Sequence, residues 1–337
     1  MKSKKKMIRF VAAVLVAVGS AAVAVRQVSA QPDRPRGHDA TIRFWTNAKV
    51  ARAVPRAFTR DPRSRRFSRA KDGPGYINLG SQWTGGGDVN KNVGRVFFEM
   101  GGTYWTCSAS VILDPVASRS IVLTAAHCAY DETGRYGFAR YWMFVPDYAT
   151  LPSNYDPDGL FCTSTSLGCW AADSLVVSGA YAEAGSFNDT AVVHDYGFAV
   201  VSTGGKSNGQ LDAVVNPNPA SWSEQSAGDD TFLFGYPAAG RYKGSALVYC
   251  RGPLDYDGRT FYETYKVGCS MTGGSSGGPW FTPFEKSGPD AGSGTVVSVN
   301  SYGYAGRKAM YGPIFGAETA TMFGVAQTTS SNVLVIP

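Results

Sequence analysis

The chain has 337 residues, a formal net charge of +6 and an isoelectric point near 8.9. Charged residues make up 17%, below the roughly 25% of typical globular chains, whereas the 40 glycines and 13% aromatic residues indicate many turns and a large core. This composition excludes a disordered, collagenous or coiled-coil protein. The positive charge would favour a nucleic-acid partner only if it lay on the folded part of the chain.

The N-terminus has the pattern of an export signal. Residues 1–9 carry five basic side chains, residues 10–25 carry no charge, and small residues end the segment at Val28-Ser29-Ala30. The alternative is an uncleaved anchor, but 16 uncharged residues fall short of the ~20 that a spanning helix needs. The sequence predicts a cleaved signal peptide over residues 1–30, a secreted, extracellular protein and no stable membrane span.

A strongly basic stretch follows at residues 31–75. Residues 31–71 hold twelve Lys or Arg against three acids, and the run 63–69 has little to bury, so it is expected to be extended and exposed. It is interpreted as a basic pro-segment cut near the arginines or as a disordered linker, with a nucleic-acid-binding arm as a third alternative. By segment the net charge is +6 for residues 1–30, +9 for 31–71 and −9 for the remainder, so no nucleic-acid partner is predicted.

Short apolar or alternating runs, separated by Gly, Pro, Asn and Asp, characterise the chain from about residue 93 onward. They are rich in Val, Ile, Phe and Tyr, as strands are, and few segments show a helical period. The sequence therefore predicts an all-β sandwich or barrel, divided near the middle by the proline-rich residues 216–219. The runs are residues 94–100, 108–113, 121–124, 198–201, 231–234, 246–250 and 295–299.

All six cysteines lie after the basic stretch, an even number that in an exported protein favours three disulfides. Fifteen connectivities are possible for six cysteines. Pairing nearest neighbours would join Cys107 to Cys128, Cys162 to Cys169 and Cys250 to Cys269.

Two motifs contain groups suited to nucleophilic catalysis. Thr-Ala-Ala-His-Cys at residues 124–128 follows an apolar run, and Gly-Gly-Ser-Ser-Gly-Gly-Pro occupies residues 273–279. A serine hydroxyl needs a base to take its proton, and His127 is one of only two histidines after the basic stretch. Glycines around Ser276 would let a substrate approach and let backbone N–H groups point at one oxygen.

An imidazole that acts as a base needs a carboxylate to orient it. Asp195 begins an apolar strand with a small residue two places on, and Asp189 is its rival. The apolar run after Asp189 ends after three residues at His194, so the strand pattern favours Asp195.

These motifs, in the order His, Asp, Ser, resemble those of the trypsin-like (chymotrypsin-fold) serine endopeptidases over about residues 90–325. The sequence of residues 272–277, around Ser276, is similar to that of the bacterial glutamyl-endopeptidase-like branch. The resemblance implies two six-stranded antiparallel β-barrels, at about 90–205 and 220–337 of a domain spanning 76–337, with the active site between them. It also implies that Cys107 bridges to Cys128.

The resemblance implies the roles of individual residues as well. Ser276 would attack the scissile carbonyl, His127 would act as base and then acid, Asp195 would orient the imidazole, and the N–H groups of Gly274 and Ser276 would form the oxyanion hole. Ser270 would form the floor of the substrate pocket. The other substrate-binding residues of this pocket would be Ser301, Tyr302 and Gly303.

The sequence departs from the family at three positions. Ser275 replaces the aspartate that precedes the nucleophile in the animal digestive members, so activation through an aspartate–amine bridge is not expected. The neutral Ser270 does not favour Lys or Arg, and Asn300 stands where the glutamyl-specific members have histidine. A neutral pocket for apolar or aromatic side chains is expected.

The leading hypothesis is a secreted serine endopeptidase that hydrolyses peptide bonds through an acyl-enzyme. The alternative is a non-catalytic protein of the same fold that acts in binding or adhesion. No cofactor and no metal site are predicted, since two Asp-Gly segments, residues 156–159 and 255–258, are more typical of turns than of calcium loops. A monomer acting on protein or peptide substrates is expected.

Overall fold

The computed structural model describes residues 24–27, 37–69, 80–151, 156–260, 263–288 and 291–336. The predicted signal peptide lies outside these residues except for one short strand, and its cleavage stays a prediction. Among the described residues, no helix is long and apolar enough to cross a membrane.

Residues 37–69, called here the N-terminal segment, fold against the rest of the chain. Trp45 and Val50 are buried, so these residues are not the disordered linker that was one interpretation. The longest exposed run of the segment is the turn at residues 61–66, which contains most of the arginine run that was expected to be exposed. The elements up to this point are β1 (Ala24–Gln27), α1 (His38–Phe44), α2 (Asn47–Ala51), β2 (Val54–Pro55), β3 (Phe58–Arg60) and β4 (Phe67–Arg69).

The described residues from 80 onward are called here the body. After the short elements β5 (Ser81–Gln82) and α3 (Val89–Asn92), its first half is a closed barrel of six antiparallel strands. The strands pair around the ring in the order β6, β7, β8, β11, β10, β9 and back to β6. The barrel elements are β6 (Val93–Met100), β7 (Thr103–Ile112), β8 (Ser120–Thr124), β9 (Arg140–Val145), α4 (Phe161–Ser164), β10 (Trp170–Ser178), α5 (Gly179–Glu183), α6 (Asp189–Val193) and β11 (Gly197–Val201).

Local chemistry explains the barrel's hairpins and its interior. Gly101 and Gly102 join β6 to β7 with φ angles of 63° and 79°, which suit a two-residue turn that follows the strand twist. Apolar side chains such as Val96, Val111 and Val122 are completely buried, which favours this register because a slip of one residue would expose them.

The second half contains two sheets that face each other. One has the strand order β17, β16, β12, β13, β5, and the other has the order β14, β15, β19, β18, β3, β4. The Cys250–Cys269 disulfide and a hydrogen bond from Ser298 Oγ to the Pro313 carbonyl (2.7 Å) join them. The elements are α7 (Leu211–Val214), β12 (Asp230–Gly235), β13 (Val248–Pro253), β14 (Asp255–Tyr256), β15 (Thr264–Gly268), β16 (Pro279–Glu285), β17 (Ser293–Val299), β18 (Tyr302–Tyr304), β19 (Ala309–Pro313), α8 (Ala317–Ala326) and β20 (Val333–Ile336).

The predicted all-β, trypsin-like fold is confirmed, with a closed first barrel and few helices. In the described part of the second half, hydrogen bonding forms two sheets instead of a second closed ring. The three disulfides join nearest neighbours along the chain. The domain boundaries deduced from the sequence stay predictions.

Candidate active site

A buried histidine and a buried aspartate meet where two paired strands end. Strands β8 and β11 are antiparallel, with Thr124 opposite Gly197, so the residues after β8 and before β11 are neighbours. His127 Nδ1 lies 2.8 Å from Asp195 Oδ2, and the backbone N–H of His127 donates to Asp195 Oδ1 at 2.9 Å. Because the carboxylate only accepts hydrogen bonds, His127 carries a proton on Nδ1.

The structure places the two candidate aspartates in different environments. Asp195 is inaccessible to solvent and contacts His127, whereas the Asp189 side chain is 46% exposed and pairs with Arg60 at 2.6 Å. Ser301 Oγ also donates to Asp195 Oδ2, at 2.5 Å. Ser301, expected in the pocket wall, therefore uses its hydroxyl to hold the aspartate.

Ser276 lies across the cleft from His127, in a glycine-rich turn that its neighbours hold tightly. Its carbonyl accepts from the Ser108 N–H at 2.7 Å, which ties the second half to β7 of the first barrel. Gly274 has a φ of 98°, and a Cβ there would lie 2.8 Å from the Tyr236 carbonyl oxygen. Only glycine suits this position. Within the described residues, the N–H groups of Gly274 and Ser276 donate no hydrogen bond, so both can receive an oxyanion.

The residues that depart from the family have local partners. Ser275 Oγ donates to the Thr272 carbonyl at 2.8 Å. Asn300 is buried, where it accepts from Trp280 Nε1 at 2.8 Å and donates to the carbonyls of Phe234 and Ser275. Its amide supports the turn around the nucleophile, so it is not aimed at a substrate.

A cavity of about 320 Å³ opens beside Ser276. Among its described lining residues no side chain is acidic, and the two basic ones are Arg69, of the N-terminal segment, and Arg307. The four predicted substrate-binding residues, Ser270, Ser301, Tyr302 and Gly303, all line it, and their contact with a substrate stays a prediction. Met271, Tyr304, Ala309 and Met310 add mainly apolar surface.

Two tyrosines of the cavity wall are fixed by a buried carboxylate. The hydroxyls of Tyr302 and Tyr304 donate to Asp257 Oδ2 at 2.9 and 2.5 Å. Burial, and then the hydrogen bond to Asp257, raises the pKa of Tyr304 to about 12, so it remains a donor at neutral pH. Asp257, which the sequence placed in a turn, thus sets the orientation of the wall that β18 forms.

The N-terminal segment runs across this site. Strand β2 pairs with β7 and strand β3 pairs with β18, both in parallel. Between them the carbonyl oxygen of Arg56 lies 3.0 Å from His127 Nε2. Phe58 stacks on Phe187, with ring centroids 3.9 Å apart, and its edge meets the His127 ring.

This contact changes what His127 can do. The Asp195 carboxylate accepts at Nδ1, and the Arg56 carbonyl oxygen lies at Nε2, the atom that would have to take the Ser276 proton. While Arg56 is in place, its carbonyl therefore occupies the position that the Ser276 hydroxyl needs. In the described part of the chain no hydrogen bond joins Ser276 Oγ to His127.

The sequence did not identify which residues of the segment cover the site. Only the run 63–69 is expected from the sequence to be exposed, and no arginine is expected to be buried, yet Arg56 and Arg60 are almost completely buried. A signal was available in the apolar residues Trp45, Val50 and Phe58, which are unusual in a disordered basic stretch. The contact of Ser301 with Asp195 had no local signal.

Comparisons with known proteins agree with this architecture. The protease Anisep from Arthrobacter nicotinovorans is 29% identical, with a TM-score of 0.59, over 74% of this chain and 100% of its own. The thermostable serine protease AL20 from an extremophilic microorganism is 33% identical, with a TM-score of 0.55, over 71% of this chain and 98% of its own. A Glu endopeptidase shares the fold at 15% identity and a TM-score of 0.50, over 76% of this chain and 99% of its own.

A closed antiparallel barrel with a buried His–Asp pair facing a serine in a glycine turn defines the trypsin-like class of fold. No family model matches the sequence, and no curated protein matches it significantly. The similarity to AL20 over nearly the whole length of that protein nevertheless shows that this chain belongs to the trypsin-like serine proteases.

Proposed function

We propose that the protein is a secreted serine endopeptidase whose catalytic triad is Ser276, His127 and Asp195. The observation that carries this proposal is the solvent-inaccessible His127–Asp195 pair beside Ser276. In addition, the N–H groups of Gly274 and Ser276 donate no hydrogen bond among the described residues. Export is supported by the basic and apolar N-terminus and by three disulfides.

In the proposed mechanism, His127 takes the Ser276 proton through Nε2 as the hydroxyl oxygen attacks the scissile carbonyl. The resulting oxyanion accepts hydrogen bonds from Gly274 N and Ser276 N, and His127 then gives its proton to the leaving amine. Water then attacks the acyl-enzyme carbonyl as His127 takes its proton, and His127 returns that proton to Ser276 Oγ as the ester bond breaks and the acid product leaves. Asp195, held by Ser301, keeps the proton on Nδ1 throughout.

Cleavage within chains, as opposed to their ends, is supported by the shape of the cleft. The N-terminal segment passes the site as an extended chain, with β2 on one side of His127 and β3 on the other. A cleft that is open in both directions suits an endopeptidase. The cavity floored by Ser270 has a mainly apolar wall and no acidic residue among its described lining residues, which favours an apolar or aromatic side chain next to the cleaved bond.

The covered site also supports a precursor, or zymogen, form. While the Arg56 carbonyl occupies His127 Nε2, the proton transfer from Ser276 is blocked. Activity therefore requires that the N-terminal segment leave the cleft.

The test uses a serine-reactive fluorophosphonate and casein with the protein secreted by its host. We expect the label on Ser276 alone, and Ser276→Ala should lower casein hydrolysis by a factor on the order of 10⁶. Ser275→Ala is the matched control and should retain activity, since its hydroxyl contacts only Thr272. Casein hydrolysis that survives in Ser276→Ala would exclude the mechanism, and absence of hydrolysis in every form would favour the non-catalytic alternative.

A further inference from the structure

One arginine of the N-terminal segment is completely buried beside the active site. The guanidinium of Arg56 donates through Nη1 to the His127 carbonyl and through Nη2 to Glu132 Oε2, and Nη2 also lies 3.4 Å from Asp131 Oδ1. The Arg56 side chain is 0% exposed, and those of Asp131 and Glu132 are 3% and 8% exposed. A guanidinium in such a place must be matched by negative charge, because an unpaired buried charge is strongly unfavourable.

Two of the groups that receive Arg56 are held in place by the protease body itself. Asp131 Oδ2 accepts from Thr133 Oγ1 at 2.6 Å and from the Tyr136 N–H at 3.1 Å, which leaves Oδ1 facing the guanidinium. The His127 carbonyl belongs to the turn after β8, which the Cys107–Cys128 disulfide fixes. Glu132 is shared with a second arginine of the segment, since its Oε1 lies 3.7 Å from Arg69 Nη2.

The recess that holds the Arg56 guanidinium lies next to the proposed catalytic base. The Arg56 N–H donates to the Thr106 carbonyl on β7 at 3.1 Å, and the Arg56 carbonyl oxygen lies 3.0 Å from His127 Nε2. The Ser270 cavity is lined by Pro55 and Ala57, the chain neighbours of Arg56, as well as by β18.

We propose that Asp131, Glu132 and the His127 carbonyl form an arginine-binding subsite beside the catalytic histidine, and that Arg56 fills it to hold the N-terminal segment across the site as a built-in inhibitor. The proposal rests on the proposed function. It assigns the subsite a ligand class, a guanidinium on an extended peptide.

The direction of the segment explains why the enzyme does not consume this ligand. Both β2 and β3 run parallel to the strands that they join. The Arg56 carbonyl oxygen lies 3.0 Å from His127 Nε2, and among the described residues it accepts no hydrogen bond from the Gly274 and Ser276 N–H groups that must receive a carbonyl for attack. Arg56 thus anchors a peptide that is bound without being presented for cleavage.

The test compares uncut full-length variants by the rate of Ser276 labelling with fluorophosphonate and by hydrogen exchange of the amides of residues 56–60. Arg56→Met and Glu132→Gln should each raise the labelling rate at least tenfold and remove the exchange protection. The double variant should be no faster than the faster single variant, because both changes break the same pair. Arg66→Gln, an exposed arginine of the same segment, is the matched control and should stay within twofold of the wild type.

The proposed subsite would be excluded if Arg56→Met and Arg66→Gln gave equal rates of Ser276 labelling. It would also be excluded if the effects of Arg56→Met and Glu132→Gln multiplied in the double variant. Arg56→Lys keeps the positive charge but lacks the planar guanidinium, so its rate of Ser276 labelling should lie between those of the wild type and Arg56→Met. This variant tests the subsite if Glu132→Gln does not fold. If Ser276 is unlabelled in every variant, the proposed catalysis fails, and hydrogen exchange still decides whether Arg56 anchors the segment.

Discussion

The protease body and the N-terminal segment meet at the same histidine but are built differently. The six strands of the first barrel have five to ten residues each and pair continuously around a ring, whereas the segment contributes to the cleft strands of two and three residues. Side chains add to these short pairings and to scattered backbone hydrogen bonds, through the ion pairs of Arg56 and Arg60 and the rings of Trp45 and Phe58. The body thus keeps its shape by backbone pairing, and the segment can separate without dismantling it.

The attachment of the segment is concentrated in a few contacts. Trp45 is 0% exposed, donates through Nε1 to the Tyr141 carbonyl at 2.7 Å and packs against Phe97 and Tyr104. Next to it, Phe44 stacks on Tyr141 with ring centroids 3.6 Å apart. Each contact can be removed by a single substitution, so the division between body and segment can be tested one contact at a time.

The largest effect is expected from the two aspartates, which serve the two regions separately. Asp195→Asn should lower kcat of the processed enzyme by about 10⁴, because the amide no longer enforces the Nδ1–H tautomer of His127. Asp189→Asn should leave kcat unchanged and speed Ser276 labelling of the uncut chain, because Asp189 contacts only Arg60 of the segment. Kinetic assays of both variants on one peptide substrate check this. A large loss of kcat in Asp189→Asn would contradict the assignment of the two aspartates to separate regions.

A smaller effect should appear when Trp45 is removed. Trp45→Ala should weaken docking of the segment by about 3–5 kcal/mol, the usual loss for a buried tryptophan, and leave the thermal unfolding of the barrels nearly unchanged. Hydrogen exchange of residues 41–60 measures the docking, and calorimetry measures the barrels.

The control for Trp45 is Val54→Ala, at a segment residue that is 44% exposed, with an expected change below about 0.5 kcal/mol. Unfolding of segment and barrels in one transition that moves with Trp45→Ala would show that the segment is part of the body.

The smallest effect concerns a contact within the body. Glu318 lies 2.8 Å from His194 Nδ1 and accepts from Ser178 Oγ at 2.5 Å. Burial alone would raise the pKa of Glu318, but the hydrogen bonds from His194 and Ser178 outweigh it and lower the pKa below 4.5. Glu318→Gln should lower Tm by about 2–4 °C near neutral pH, a loss of about 1 kcal/mol.

Because the carboxyl has a lower pKa in the folded protein, its contribution is complete above pH 4.5 and is lost as the pH falls through the folded value. The Tm difference should therefore shrink in acid. Labelling of Ser276 in the uncut chain should not change, and a faster label would mean that this contact also holds the segment.

The sequence was sufficient for the body because its signals are local or chemical. Alternation of apolar residues predicts strands such as β8, and nucleophilic catalysis requires a serine, a base and an acid, for which Ser276, His127 and Asp195 were the best candidates. The segment could not be predicted in this way. Arg56 and Arg60 find their carboxylates 76 and 129 residues further along the chain, and an arginine in a basic run has no pattern that distinguishes a buried one.

The position of the exposed turn at residues 61–66 determines how the enzyme would be switched on. Every anchor named above except Arg69 lies on the N-terminal side of that turn, so a cut among its arginines severs the tether and leaves Trp45, Arg56 and Phe58 docked. The cut converts an intramolecular contact, with a high effective concentration, into an ordinary complex of two molecules. Dilution would then favour separation of the two pieces, so the active fraction of the cut protein should rise as its concentration falls.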